Sequence, residues 1–218
     1  MDSQLILQDK FLEQFFKSEF ASRFYLTGGT ALARFYFHHR ESLDLDLFTN
    51  DQAQDFDTVN RTILFIAHSL QLGIINQVTT ATFLQYIFSG EQNQSLKVDI
   101  VKDIPVHFGE KSSEGPVRID SLENIGSNKV LAIFGRSEAK DFIDLYWILQ
   151  QTSFTFDHLF ELAKEKDLGL NELYFSYALK NVSGITRYPV MLQPLPWEEI
   201  VSFFLELSRS LLLRIKPD

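Results

Sequence analysis

Leu26-Thr-Gly-Gly-Thr-Ala-Leu-Ala-Arg-Phe-Tyr-Phe-His-His-Arg-Glu-Ser-Leu-Asp-Leu-Asp-Leu-Phe48 is the stretch on which the reading of the fold turns. Just before it, Phe24-Tyr-Leu26 forms an apolar run that ends at Thr27-Gly28-Gly29, the pattern of a strand entering a turn. Thr30 to His39 contains neither Gly nor Pro, so a helix is expected to open at the glycines. Ser42 to Phe48 then alternates. Leu43, Leu45 and Leu47 share one face, and Ser42, Asp44 and Asp46 share the other, which is the period of a strand.

Outward from this core the pattern remains legible. Leu5, Leu7, Phe11, Leu12, Phe15, Phe16 and Phe20 predict a helix over 4–20. A helix is expected over 56–70, followed by strands near 73–79, 82–89 and 95–101, with Ser89–Gln94 as the turn of a hairpin. Pro105–Ser121, with Gly109, Gly115 and Pro116, reads as a loop-rich boundary. Helical spacing follows over 121–136, 139–151, 155–167, 170–181 and 197–215, with Pro189, Pro194 and Pro196 breaking the chain before the last helix. The expected organisation is an α/β domain over 1–117 and a helical domain over 118–218, without internal repeats.

Composition limits the chemistry. The 218 residues are 45% hydrophobic and 22% charged, enough for a sizeable core, and 21 phenylalanines make that core aromatic. With no cysteine, disulfides, thiolate zinc sites and a cysteine nucleophile are excluded. The net charge of -9 opposes a general grip on polyanions but leaves room for a local basic patch. No apolar run has the length of a membrane helix, and Met1–Lys10 lacks the basic start of a signal peptide, so no membrane association and a cytoplasmic location are expected.

The candidate chemistry centres on carboxylates. Two residues along a strand span about 6.5 Å, and both side chains leave the same face. Asp44 and Asp46 at that spacing suit one Mg²⁺, or a pair about 4 Å apart, and Mg²⁺ favours a few carboxylates plus phosphate oxygens. Gly28-Gly29 at a helix start offers backbone N–H groups to an anion, and Thr30 adds a hydroxyl or a cap. In Leu96-Lys-Val-Asp-Ile100, Asp99 is either a third carboxylate of the same site, as ligand or base, or a strand aspartate paired with Lys97 or Lys102. In Lys129–Leu145, Asn128 or Ser127 is the candidate cap of the first helix, and Ser137 or Glu138 that of the second. Lys140, Asp141 and Asp144 form a narrow charged stripe between apolar flanks, as at a cleft wall. His38 and His39 read as cations at a helix end, with a phosphate contact as the alternative. His68, His107 and His158 show no ligand spacing.

These residues resemble the nucleotidyltransferase superfamily, whose signature is Gly-Gly/Ser, a helix, Asp-x-Asp/Glu and a third carboxylate on a later strand. More narrowly, the chain is similar to the AbiEii/AbiGii-type toxins of type IV toxin–antitoxin and abortive-infection systems. The likeness rests on Leu26–Leu32, on His39–Phe48, and on Lys129-x-x-Ala132-x-x-x-Arg136-x-x-x-Lys140-Asp141-x-x-Asp144-Leu145. It implies an α+β fold: a nucleotidyltransferase-like mixed β-sheet flanked by helices, followed by a C-terminal helical domain, with the active site between the two. The resemblance further implies Mg²⁺ on Asp44, Asp46 and Asp99. The NTP would be held by Gly28, Gly29, Thr30, Ser42, Arg136, Lys140 and Asp144. Lys129 would neutralise phosphate charge, and Asp141 would act as a catalytic or hydroxyl-orienting acid. The implied partners are an NTP, an RNA (tRNA) acceptor and a cognate antitoxin. The alternatives are transfer to a small molecule such as an antibiotic, or a non-catalytic nucleotide- or partner-binding module.

Overall fold

Ser3–Phe15 forms helix α1, which buries Leu7, Phe11, Leu12 and Phe15. It stops five residues short of the expected end. The Ser18 hydroxyl donates to the Phe15 carbonyl at 2.6 Å and receives the Phe20 N–H at 3.3 Å, replacing the helical ladder with a turn. The chain then enters strand β1 (Tyr25–Thr27) and helix α2 (Gly28–Ala31). One π-helical turn, Leu32–Tyr36, continues α2. His38 at φ 51° lies outside the right-handed region and leaves the helix, so the helix ends before the histidines expected at its last turn.

The leucine–aspartate alternation becomes strand β2 (Asp44–Thr49), with Leu45 and Leu47 fully buried. Helix α3 (Phe56–Ser69) is capped by Asp55, whose carboxylate accepts from the N–H groups of Asp57 and Thr58 at 3.1 Å each. Strands β3 (Gly73–Thr79), β4 (Phe83–Ser89) and β5 (Ser95–Lys102) follow, close to their expected bounds. The boundary segment holds two strands that its glycines hid, β6 (Ser112–Glu114) and β7 (Val117–Ile119). They pair antiparallel around Gly115.

The helices after them are α4 (Leu122–Gly135), α5 (Ala139–Gln151), α6 (Phe156–Lys166), α7 (Glu172–Lys180) and α8 (Trp197–Arg214). Thr155 caps α6 and Asn171 caps α7 through their side-chain oxygens. Ser127 and Asn128 lie inside α4 and do not cap it. The buried Ser127 hydroxyl bonds back to the Asn124 carbonyl at 2.8 Å. Glu138 occupies the cap position of α5 without a side-chain cap bond.

The computed structural model describes residues 3–91, 94–194 and 196–215; Gln92 and Asn93, in the expected hairpin turn, the start of the first expected domain and the end of the second lie outside them. The seven strands form one mixed sheet in the order β3-β4-β5-β2-β1-β7-β6. β2 runs parallel to β5 and antiparallel to β1, and β1 runs parallel to β7. The chain divides into two compact units. One comprises Met1–Phe35 and Ser42–Ser121; the other comprises Tyr36–Glu41 and Leu122–Asp218. The sheet, α1 and α3 belong to the first, and α4 to α8 belong to the second. Among the described residues no helix is long and apolar enough to cross a membrane.

Candidate active site

In the first unit the polar face of β2 meets that of β5. Parallel pairing sets Asp46 opposite Asp99 and Asp44 opposite Lys97. Asp99 therefore has the lysine pairing of one expected reading and the position beside Asp46 that the other requires. It adjoins Asp46, and it receives the Lys97 ammonium at 2.7 Å and the Gln85 amide of β4 at 2.9 Å. Lys97 also lies 3.6 Å from Asp44. Partial burial works against the charge of Lys97, but its bond to Asp99 and the fields of Asp44, Asp99 and Asp46 outweigh it and raise its pKa above the ordinary lysine value.

Among the described residues no three or more His, Cys, Asp or Glu side chains are grouped so that they could hold a metal ion as they stand. The donor set nevertheless suits a hard cation. Asp44, Asp46 and Asp99 offer carboxylate oxygens from adjacent strands, and Asp44 is 41% exposed at its side chain. Mg²⁺ completes such partial sets with water and phosphate oxygens.

The glycine turn is built against this face. Gly28 has φ 68°, and a Cβ at this position would stand 2.6 Å from the Asp46 carboxylate. Both backbone geometry and space therefore call for glycine. Gly28→Ala is expected to cost about 1–3 kcal/mol, measured by urea unfolding, and to weaken nucleotide binding because it pushes on Asp46. Gly29 follows at the first turn of α2, where N–H groups lack intrahelical acceptors. Thr30 is buried and its hydroxyl donates to the Asp44 carbonyl, with the Ser42 hydroxyl 2.9 Å away. Gln8 of α1 donates to the Ser42 and Leu43 carbonyls at 3.2 and 2.8 Å. Thr30 and Ser42 thus tie the turn to the start of β2.

A further group here escaped the sequence reading. Buried Asp120 accepts from the Thr27 hydroxyl at 2.5 Å and the Ser121 N–H at 2.8 Å, and it lies 2.8 Å from His107 Nε2. It anchors the last residue before the glycines. Its position depends on β7 pairing with β1, which no local pattern announced.

In the second unit the Lys129–Leu145 block forms a buried ion network. Asp141 and Asp144, three apart on α5, have no exposed surface. Lys129 of α4 lies 2.9 Å from Asp141 and 2.7 Å from Asp144. Arg40 holds Asp144 through two bonds of 2.7 Å, and His39 Nε2 lies 2.8 Å from the same carboxylate. Arg136 bonds Asp141 at 2.7 and 3.2 Å. The charged stripe expected at a cleft wall therefore has both its aspartates inside this unit, while Lys140 remains partly exposed and pairs with Glu138 at 3.0 Å. His39 does not close a helix. It stacks on Trp147 at 5.3 Å, and its Nδ1 is buried with no hydrogen-bond partner among the described residues. Burial opposes ionisation of Asp144, yet Lys129 and Arg40 hold it well below the usual carboxylate range. Burial likewise opposes the charge of Asp141, but Lys129 and Arg136 lower its pKa. Lys129 is raised by the two aspartates against its own desolvation.

The mixed sheet thus sets Asp44 and Asp46 beside Asp99, with Gly28-Gly29 at the strand–helix turn next to Asp46. Residues 10–205 match the family described as nucleotidyl transferase AbiEii toxin, type IV TA system. The chain belongs to that family, and it is a nucleotidyltransferase. It is 26% identical over 212 residues to an uncharacterized protein of Aquifex aeolicus, covering 90% of this chain and 92% of that one. Among solved structures it resembles a Helicobacter pylori protein described as a candidate nucleotidyltransferase. Their TM-score is 0.64 at 21% identity, over 95% of this chain and 92% of the other. It also resembles MenT4, a nucleotidyltransferase toxin of Mycobacterium tuberculosis H37Rv, with a TM-score of 0.58 at 13% identity, over 94% and 82% of the two chains.

Proposed function

We propose that the chain transfers a nucleoside monophosphate from an NTP to the 3′ hydroxyl of an RNA, tRNA above all, as the toxin of a toxin–antitoxin pair. The observation that carries this is the acidic face shared by β2 and β5, with Asp46 packed against Gly28. Carboxylate oxygens beside a helix start support this reading, because a hard cation and a triphosphate would need both. Asp44, Asp46 and Asp99 would hold the ion, which supplies charge stabilisation at the transferring phosphoryl group. Gly28 and Gly29 would receive the triphosphate. The acceptor oxygen attacks the α-phosphorus and pyrophosphate leaves, so the work of the protein is positioning and electrostatics. Arg136 and Lys140, partly exposed at their side chains, are the second unit's candidates for phosphate contact; Lys129, Asp141 and Asp144 hold that unit's interior.

The reading implies a cytoplasmic enzyme, a role in abortive infection, and an antitoxin that restrains it. The test is incubation of each α-³²P-labelled NTP with Mg²⁺ and total RNA, purified tRNA or small hydroxylated acceptors. Wild type is compared with Asp44→Ala. Label on tRNA from wild type alone supports the proposal. Label confined to a small acceptor moves the substrate class, and equal labelling by both proteins removes the active-site assignment.

A further inference from the structure

We propose that Lys97 is a built-in counter-ion of the metal seat, so that the seat takes its divalent ion together with the nucleotide's triphosphate and binds a bare ion poorly. This rests on reading Asp44, Asp46 and Asp99 as that seat. The arrangement follows from register. Lys97 lies directly opposite Asp44 across the parallel pair and two residues before Asp99 on the same strand. The two-residue period of a strand then puts its side chain on the face that carries both aspartates. Its ammonium lies 2.7 Å from Asp99 and 3.6 Å from Asp44.

Three carboxylates on neighbouring strands repel one another across a partly buried face, where charges are screened less than in water. One ammonium between two of them relieves that repulsion and lets the face fold without metal. The same ammonium opposes a divalent ion. A metal approaching Asp44 and Asp99 meets a positive charge already bonded to one and close to the other, and must displace it. A triphosphate changes the balance. It brings several negative charges with the metal, and its oxygens can accept the displaced ammonium in charge-assisted bonds. Lys97 thereby couples metal loading to nucleotide loading. It is a positioning residue for the metal, and nothing in the transfer step needs it as acid or base.

The test is Mn²⁺ binding, followed by calorimetry and by the electron paramagnetic resonance of the free ion, with and without a non-hydrolysable α,β-methylene NTP. Wild type, Lys97→Met and Lys97→Arg are compared. Lys97→Met should bind Mn²⁺ alone about tenfold more tightly than wild type, as expected for loss of one adjacent like charge. Lys97→Arg, which keeps the charge, should stay near wild type. With the nucleotide analogue the gap between wild type and Lys97→Met should narrow. Metal-free Lys97→Met should melt below wild type and gain more from Mn²⁺; if it does not fold, Lys97→Gln takes its place. Equal or weaker Mn²⁺ affinity after loss of the charge overturns the counter-ion role while leaving the metal seat standing. If neither protein binds Mn²⁺, with or without the analogue, the metal seat fails and this inference fails with it.

Discussion

Asp46→Asn should lower nucleotide transfer by at least about a thousandfold while shifting the melting temperature by no more than about 3 °C. The substitution keeps the shape of a side chain that Gly28 leaves room for, so packing at the turn survives. What it removes is one negative oxygen from the face shared with Asp44 and Asp99. Loss of a single electrostatic contact to a developing charge costs about 10²–10³ in rate, and a weakened metal seat adds to that. The measurement is initial rate with labelled NTP at saturating Mg²⁺, beside a thermal melt. A variant within tenfold of wild type would take Asp46 out of the reaction.

Asp144→Ala should destabilise the protein by about 3–5 kcal/mol, because it strands buried cations. Asp144 is fully buried and bonded by Arg40, Lys129 and His39. Lys129 and Arg40 are themselves 6% and 3% exposed, so solvent cannot replace the carboxylate. Urea unfolding followed by tryptophan fluorescence reads the effect, since Trp147 stacks on His39 in this network. The same group predicts an acid response. Its folded pKa lies well below the ordinary 3.8. Its contribution is therefore present in full above the unfolded value and is lost as pH falls below that value toward the folded one. Asp141, also lowered, acts in the same direction. Wild-type stability should decline steeply below about pH 4, and Asp144→Asn should lack part of that decline. Parallel acid profiles for the two proteins would show that Asp144 contributes nothing through its charge.

The parts of the fold that could be read from the chain were those written in short periods. The β2 alternation placed Leu45 and Leu47 in the core and Asp44 and Asp46 together on the other face, as found. Helix α3 and strands β3 to β5 followed the same logic, and the five C-terminal helices appeared near their expected bounds. The strands β6 and β7 were hidden because three residues are too few for a periodic signal and Gly115-Pro116 between them reads as a loop. The end of α2 was hidden by a positive φ at His38, a residue type that seldom marks such a break.

Local period is a property of neighbouring residues, so the sequence by itself determined which side chains share a face, where helices and most strands run, and which carboxylates pair along β2. Partner choice across the chain is a property of packing. Only the tertiary structure put Asp99 opposite Asp46, brought Lys97 between Asp99 and Asp44, and joined Arg40 to Asp144 across 104 residues of sequence. These contacts rest on sheet register and on the cost of burying a charge without a counter-ion, and neither leaves a mark in a short stretch of sequence.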